Sequence, residues 1–152
     1  MRYAFTVPDG WSRSPFPPPQ QGIYLRAPVT TPSPEGASIL LLDAVAPAGS
    51  LEDHLMAMVK QGCEGARIVK QGKPAPVTTA GYRGLRVQVS AQAAGVEEIR
   101  VFVLIDAGDE RLPLAFVGGE KSLPMHQEAL DAVIASIGPL ELPRELYRSW
   151  TE

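Results

Sequence analysis

The sequence predicts one α+β domain, a largely antiparallel sheet of six to seven strands with two main helices packed on it. Three observations carry that prediction. Segments 85–91, 99–105 and 112–116 succeed one another as strand-like runs separated by turn residues, the pattern of an antiparallel meander. Two other segments open with a serine in capping position and continue with apolar residues at helical spacing. The chain has 152 residues, 45% apolar and 20% charged, with no internal repeat or low-complexity linker, which fits one ordinary domain and excludes a disordered or collagen-like chain. The expected boundaries are 1–140 for the domain and 141–152 for a C-terminal tail docked on it.

Element by element, residues 3–7 alternate large and small side chains and read as a short strand, stopped by the turn at Pro8, Asp9 and Gly10. More than half of the 15 prolines precede residue 35, so long regular structure is not expected there. Residues 22–27 and, more strongly, 37–46 are strand candidates, with a loop over 28–36 between them. Ser50 can cap a helix whose first turn holds Glu52 and Asp53, and Leu51, Leu55, Met58, Val59 and Gly62 fall on one face. Residues 66–70 follow as a strand that ends in a loop over 72–76. Leu85, Val87, Val89 and Ala91 then alternate with polar residues as a half-buried strand, and Ala94-Gly95 turns the chain back through Ile99, Val101, Val103 and Ile105. After the loop 106–110 comes the strand of Leu112, Leu114 and Phe116. Ser122 is expected to cap the last helix, with Pro124 in its first turn and Gly138-Pro139 as its stop. In the tail, Leu142, Leu146, Tyr147 and Trp150 point to a short helix docked on the domain.

The net charge of −3 gives no basic excess for a phosphate backbone, so no nucleic-acid partner is expected. One cysteine, Cys63, excludes an intramolecular disulfide and the multi-cysteine metal motifs. The longest strictly apolar run, 101–105, is far below the roughly 20 residues of a spanning helix, and no signal-peptide core follows Met1-Arg2. No membrane insertion and a cytoplasmic location are therefore expected.

The order of the features is more specific than any single one. A strand closes in Val7-Pro8-Asp9-Gly10-Trp11, another ends before Ser50-Leu51-Glu52-Asp53-His54-Leu55, Gly81-Tyr82-Arg83-Gly84-Leu85 opens the meander, and 127–137 closes the domain. This order resembles the DcrB-like bacterial proteins, which share the α/β/α sandwich of the PsbP-like fold, over residues 3–137. The resemblance implies a family without a common enzymatic activity, whose relatives act by binding. These include a photosystem extrinsic subunit, a nuclear-transport factor that binds a small GTPase, and cytoplasmic chaperones that shield the transmembrane helices of type VI secretion effectors. The chaperones are nearest in length and in the Pro-Asp-Gly-Trp and Ser-Leu-Glu-Asp segments. The proline run at 15–19 and the tail after Ile137 depart from the pattern, and either insertion would cover a relative's binding surface if it lay there.

A physical feature points the same way. Residues 39–42 and 101–105 are apolar at successive positions, so those strands need a cover on each face. If both helices lie on one side, Leu40, Leu42, Phe102 and Leu104, with Arg100 beside them, form an apolar platform for a protein client, such as an apolar helix of an effector, or for a second copy in a homodimer. The more ordinary arrangement divides the helices between the faces, or covers the second face with the proline-rich segment or the tail.

No constellation of catalytic groups emerges, and no enzymatic activity, metal or cofactor is expected. His54 and His126 read as solvated helix histidines, and Cys63 as a buried thiol. Asp106, Asp109 and Glu110 lack the ligand spacing of a calcium loop, and Gly118-Gly119-Glu120-Lys121-Ser122 lacks the full phosphate-loop pattern. Arg83, Arg86 and Arg100 are candidates for a small positive stripe across the meander. The leading functional expectation is a non-enzymatic protein-binding module, a chaperone or adaptor for a secreted effector. The alternative is a carrier that holds a small ligand or lipid in an apolar cavity.

Overall fold

The meander is the centre of the sheet. In the computed structural model, which describes residues 3–19, 21–28 and 36–139, β7 (Arg83–Ala93), β8 (Val96–Asp106) and β9 (Arg111–Gly119) pair antiparallel along nearly their whole lengths. The β7–β8 turn has Ala94 and Gly95 at φ of 51° and 77°, the two positive values that match a tight turn to the strand twist. Outward from β9 the sheet continues through β4 (Ser38–Leu42), β3 (Gly22–Arg26) and β2 (Ser12–Pro15). On its other flank, β7 pairs along one half with β5 (Arg67–Gln71) and along the other with β6 (Ala75–Thr78). A separate pair joins β1 (Tyr3–Ala4) to β10 (Gly138–Pro139).

The main sheet thus has eight strands, against six to seven expected. The strands not foreseen, β2 and β6, contain Pro15 and Pro76 and lie at the sheet flanks, where a residue without an N–H breaks no ladder on its outer side. Two expected strands are shorter. β1 ends at Ala4, and β4 ends at Leu42, where the Asp43 carboxylate accepts the Ala44 N–H at 3.1 Å; Val45 rejoins the sheet by an isolated bridge to Arg111. Gly138-Pro139, read as a helix stop, also makes the β1 pairing.

The helices are α1 (Leu51–Gly62) and α2 (Ser122–Ser136), and they divide between the two faces. Ser50 caps α1 as its spacing predicts, its hydroxyl accepting the Asp53 N–H at 3.1 Å. In α2 the capping position falls to Lys121, and Ser122 is buried in the first turn instead, packed close to Gly118. The arrangement with both helices on one side does not occur. Because opposed residues share a face, the register puts Val101, Val103 and Ile105 with Ile39, Leu41, Leu114 and Phe116 under α2, which contributes Leu130, Val133 and Ile134, joined by Ile137 just past its end. Phe5, Val7 and Trp11 of the amino-terminal segment extend that cover. On the reverse face Val87, Val89, Phe102, Leu104 and Ala115 meet Leu55, Val59 and Cys63 of α1 and its end. Tyr3 ties the small β1–β10 pair to the sheet, its hydroxyl donating to the Leu42 carbonyl at 2.7 Å. Burial, then Asp43, raises the phenol to about 12, so it keeps its proton. The expected tail helix over 141–152 and most of the expected loop 28–36 lie outside the described residues.

Gly84 shows how tightly the meander packs, for a Cβ there would stand 2.4 Å from the Leu104 carbonyl oxygen. Gly84→Ala is expected to destabilise the fold by about 1–3 kcal/mol, read as a lower urea midpoint at unchanged slope. An unchanged midpoint would contradict this packing.

Candidate binding groove

The two faces are covered unequally. Across β2, β3, β4, β9, β8, β7 and β5 the sheet is roughly 29 Å wide at ~4.8 Å per strand step, whereas one helix with its side chains is about 10 Å across. On its face α1 packs on β7 and β8. Among the described residues, no helix packs on the same face of β9, β4 and β3 beyond α1 at its edge. Tyr24, Leu40, Ala115, Phe102 and Val87 form one row across it; α1 covers the Val87 end, while Leu40 and Tyr24 are partly exposed.

An apolar hollow of about 380 Å³ results, with Leu40, Leu42, Ala115 and Val117 as floor and Met58, Gln61, Gly62, Arg100 and Phe102 along the α1 side. A second hollow shares Leu40 and Leu42 and runs on to Phe16, Gln21 and Tyr24, so the two make one groove. The rings of Phe16 and Tyr24 meet edge to face at 4.1 Å between centroids. Gly22 permits that rim, since a Cβ there would lie 2.4 Å from the Phe16 ring and the backbone holds φ at 150°.

The α1 wall is pinned at both ends by arginines from the sheet. Arg100 donates to the Gly62 carbonyl at 2.7 Å, placing a cation at the negative end of the helix, and its other nitrogens bind Glu98 at 3.0 and 3.2 Å. Gly62 lies directly on Phe102, where a Cβ would be 2.5 Å from the ring. At the other end Arg111, 8% exposed, donates to the Ser50 carbonyl at 3.3 Å and contacts His54 Nδ1 at 2.9 Å. A guanidinium only donates, so Nδ1 must be the acceptor and His54 is neutral. Partial burial, then Arg111, lowers the His54 pKa; burial does the same for His126, whose ring meets Trp11 edge-on.

Four of the five residues singled out from sequence, Leu40, Leu42, Arg100 and Phe102, line the groove. Leu104 does not. It is fully buried beneath α1, because that helix covers the β8 end of the row. The positive stripe also dissolves. Arg86 opposes Val103 and so faces α2, where it pairs with Asp131 at 2.9 Å, on the face opposite Arg100. Neither histidine is fully solvated, since Arg111 and Trp11 hold them. Cys63 is buried at the end of α1. Residues 106–110 close an ordinary turn, with Asp106 accepting the Gly108 N–H, and among the described residues no three His, Cys, Asp or Glu side chains converge as a cation requires. Phe16, Tyr24, Met58 and Val117 were not singled out. For Tyr24 the signal was present, as it alternates with Ile23 and Leu25 and so takes the other face.

Arg100→Met is expected to cost about 1–2 kcal/mol, the scale of a charge-assisted bond on a partly exposed group, and to speed amide exchange at the end of α1; no change in either would refute the anchoring role. A depressed histidine pKa means the folded chain binds fewer protons than the unfolded one below about pH 6.5. Stability is thus full above that pH and falls as pH drops through the folded value. Urea midpoints are expected to decline between neutral pH and about pH 5.5, with a shallower decline in His54→Gln, which keeps an acceptor and loses the titration. Parallel declines would contradict the His54–Arg111 account.

No family model matches the chain, and no curated protein does. Solved structures share its fold. LpqN of Mycobacterium tuberculosis, involved in cell envelope biogenesis, aligns with TM-score 0.63 at 12% identity, over 90% of this chain and 83% of its own. PA94 of Pseudomonas aeruginosa, a protein of unknown function, aligns with TM-score 0.64 at 17% identity, over 90% of each chain. A Bacteroides thetaiotaomicron protein aligns with TM-score 0.53 at 13% identity, over 92% of this chain but 46% of its own. At such identities the likeness is one of fold, and function has to be argued from the groove.

Proposed function

We propose that this chain is a non-enzymatic protein-binding module of the DcrB-like, PsbP-like type, which holds an apolar helix of a protein client, such as a secreted effector, in the groove beside α1. The observation that carries the reading is the half-covered sheet face, where Leu40 and Leu42 stay partly exposed next to a fixed helical wall. Among the described residues its lining is mainly apolar, and the cation there, Arg100, is engaged by Gly62 and Glu98, so the groove suits an uncharged helix face inserting large side chains. A role without catalysis agrees with His54 and His126 being held by Arg111 and Trp11, and with the burial of Cys63. Action in the cytoplasm belongs to this proposal; among the described residues no helix is long and apolar enough to cross a membrane.

A second reading, a carrier of a small apolar ligand or lipid, is favoured by the volume, since about 380 Å³ falls within the range of small-molecule sites. Native mass spectrometry separates the two, because a carrier retains a small molecule through purification. For the leading reading, Leu40→Asp and Leu42→Asp in the full chain are each expected to weaken client capture at least about tenfold, with circular dichroism unchanged because both residues are partly exposed. Undiminished capture by both variants would refute the groove as the docking site. Groove-to-groove pairing of two copies is the competing occupant, and light scattering of the same variants detects it as a lost dimer.

A further inference from the structure

We propose that the groove selects the direction of its client helix, which runs antiparallel to α1 and presents a carboxylate of its first turn to Arg26. This rests on the groove being the docking surface for a helix, and adds which way the helix lies and which charge it carries at which end.

Strand spacing matches the groove to a helix. α1 rests on β7 and β8. A second helix at the usual interaxial distance of about 8–10 Å lies about two strand spacings of ~4.8 Å further on, over β9 and β4. Ala115 and Val117 of β9, with Leu40 and Leu42 of β4, are the floor of the groove. Phe16 and Tyr24 then flank the second helix on its far side. The direction of α1 is fixed by its two arginines. Arg100 binds its C-terminal Gly62, and Arg111, which opposes Asp106 at the other end of β8, binds Ser50, so α1 runs against β8 with the groove alongside.

The two ends of the groove differ in charge. Arg26, Ser38, Val117 and Arg100 oppose one another in register and form the row beyond Leu40 on the groove face, at the C-terminal end of α1. Arg100 is engaged by Gly62 and Glu98, and Lys60 and Glu64 near the end of α1 are opposite charges. Arg26 is exposed, and among the described residues no carboxylate pairs with it. Its charge is the one left for an occupant. At the other end, past Leu42, Asp43 is exposed, as are Glu52 and Asp53 in the first turn of α1. Carboxylates stabilise the first turn of a helix and cations its last. A client helix with such ends matches the groove with its first turn at Arg26 and its last near Asp43, antiparallel to α1, so that the two helix dipoles attract. The opposite direction would bring C-terminal carbonyls to Arg26, but would set the acidic first turn against Asp43, Glu52 and Asp53.

Two capped peptides of leucine and alanine, each as long as α1, test this on the full chain. One carries a pair of glutamates in its first turn and a pair of lysines in its last; the other has glutamine in place of glutamate. Fluorescence anisotropy is expected to show the glutamate peptide binding about two- to fivefold tighter, the scale of an exposed ion pair. That preference should vanish in Arg26→Gln and at high salt. The helicity of the free peptides is the same against either protein, so the comparison cancels it. A nitroxide on the first peptide residue should broaden the Val117 methyl signals, and one on the last residue those of Leu42. The reverse pattern, or a glutamate preference that wild type lacks or Arg26→Gln keeps, overturns the inference; if Leu40→Asp still abolishes binding of both peptides, the docking surface stands. Binding of neither peptide, or binding indifferent to Leu40→Asp, defeats the docking reading and this inference with it.

Discussion

A sheet whose central strands are apolar on both faces must be covered twice, and this fold is organised by how unequally it meets that demand. β8 and β9 carry Val101, Val103, Ile105, Leu112, Leu114 and Phe116 toward one side and Phe102, Leu104 and Ala115 toward the other. The first side receives α2, the amino-terminal segment and the β1–β10 pair through Tyr3. Among the described residues the second receives the twelve residues of α1. At about 25 cal/mol per Å² of apolar surface buried, a half-covered face is a standing incentive for something further to bind.

The position of α1 decides where that opening falls, and electrostatics fix the position. Arg100 meets the C-terminal carbonyl, where a cation is favoured; Arg111 sits near the N-terminal end, where the dipole alone would repel it. Arg111 is accommodated because Ser50 offers a carbonyl and neutral His54 a lone pair. Its Nε has no partner among the described residues, a cost tolerated at the end of a helix that Leu55 and Val59 anchor. The wall beside Leu40 is thus held to the sheet at both of its ends.

Much of this was legible in the residues. The alternation from Leu85 to Ala91, the Ala94-Gly95 turn and the Ser50 cap each follow from a local rule that the tertiary structure obeys, and runs apolar at successive positions correctly demanded two covers. What failed depended on partners distant in sequence. Ser12–Pro15 and Ala75–Thr78 are strands only because β3 and β7 offer free edges. Arg86 and Arg100 separate because register, which sequence spacing does not reveal, sends them to opposite faces. Leu40 and Leu104 resemble each other as apolar residues of central strands, yet α1 seals one and spares the other. The groove was half visible for that reason: its floor lies in the alternation, its boundary in where a helix comes to rest.

The most direct measurement is a methyl NMR titration of leucine- and valine-labelled full chain with a soluble amphipathic helical peptide of leucine and lysine. The account expects shifts at Leu40, Leu42 and Val117, with Leu41, Leu114 and Leu130 on the α2 side unmoved. Shifts centred on the α2 side, or no response from Leu40 and Leu42 at saturating peptide, would contradict it.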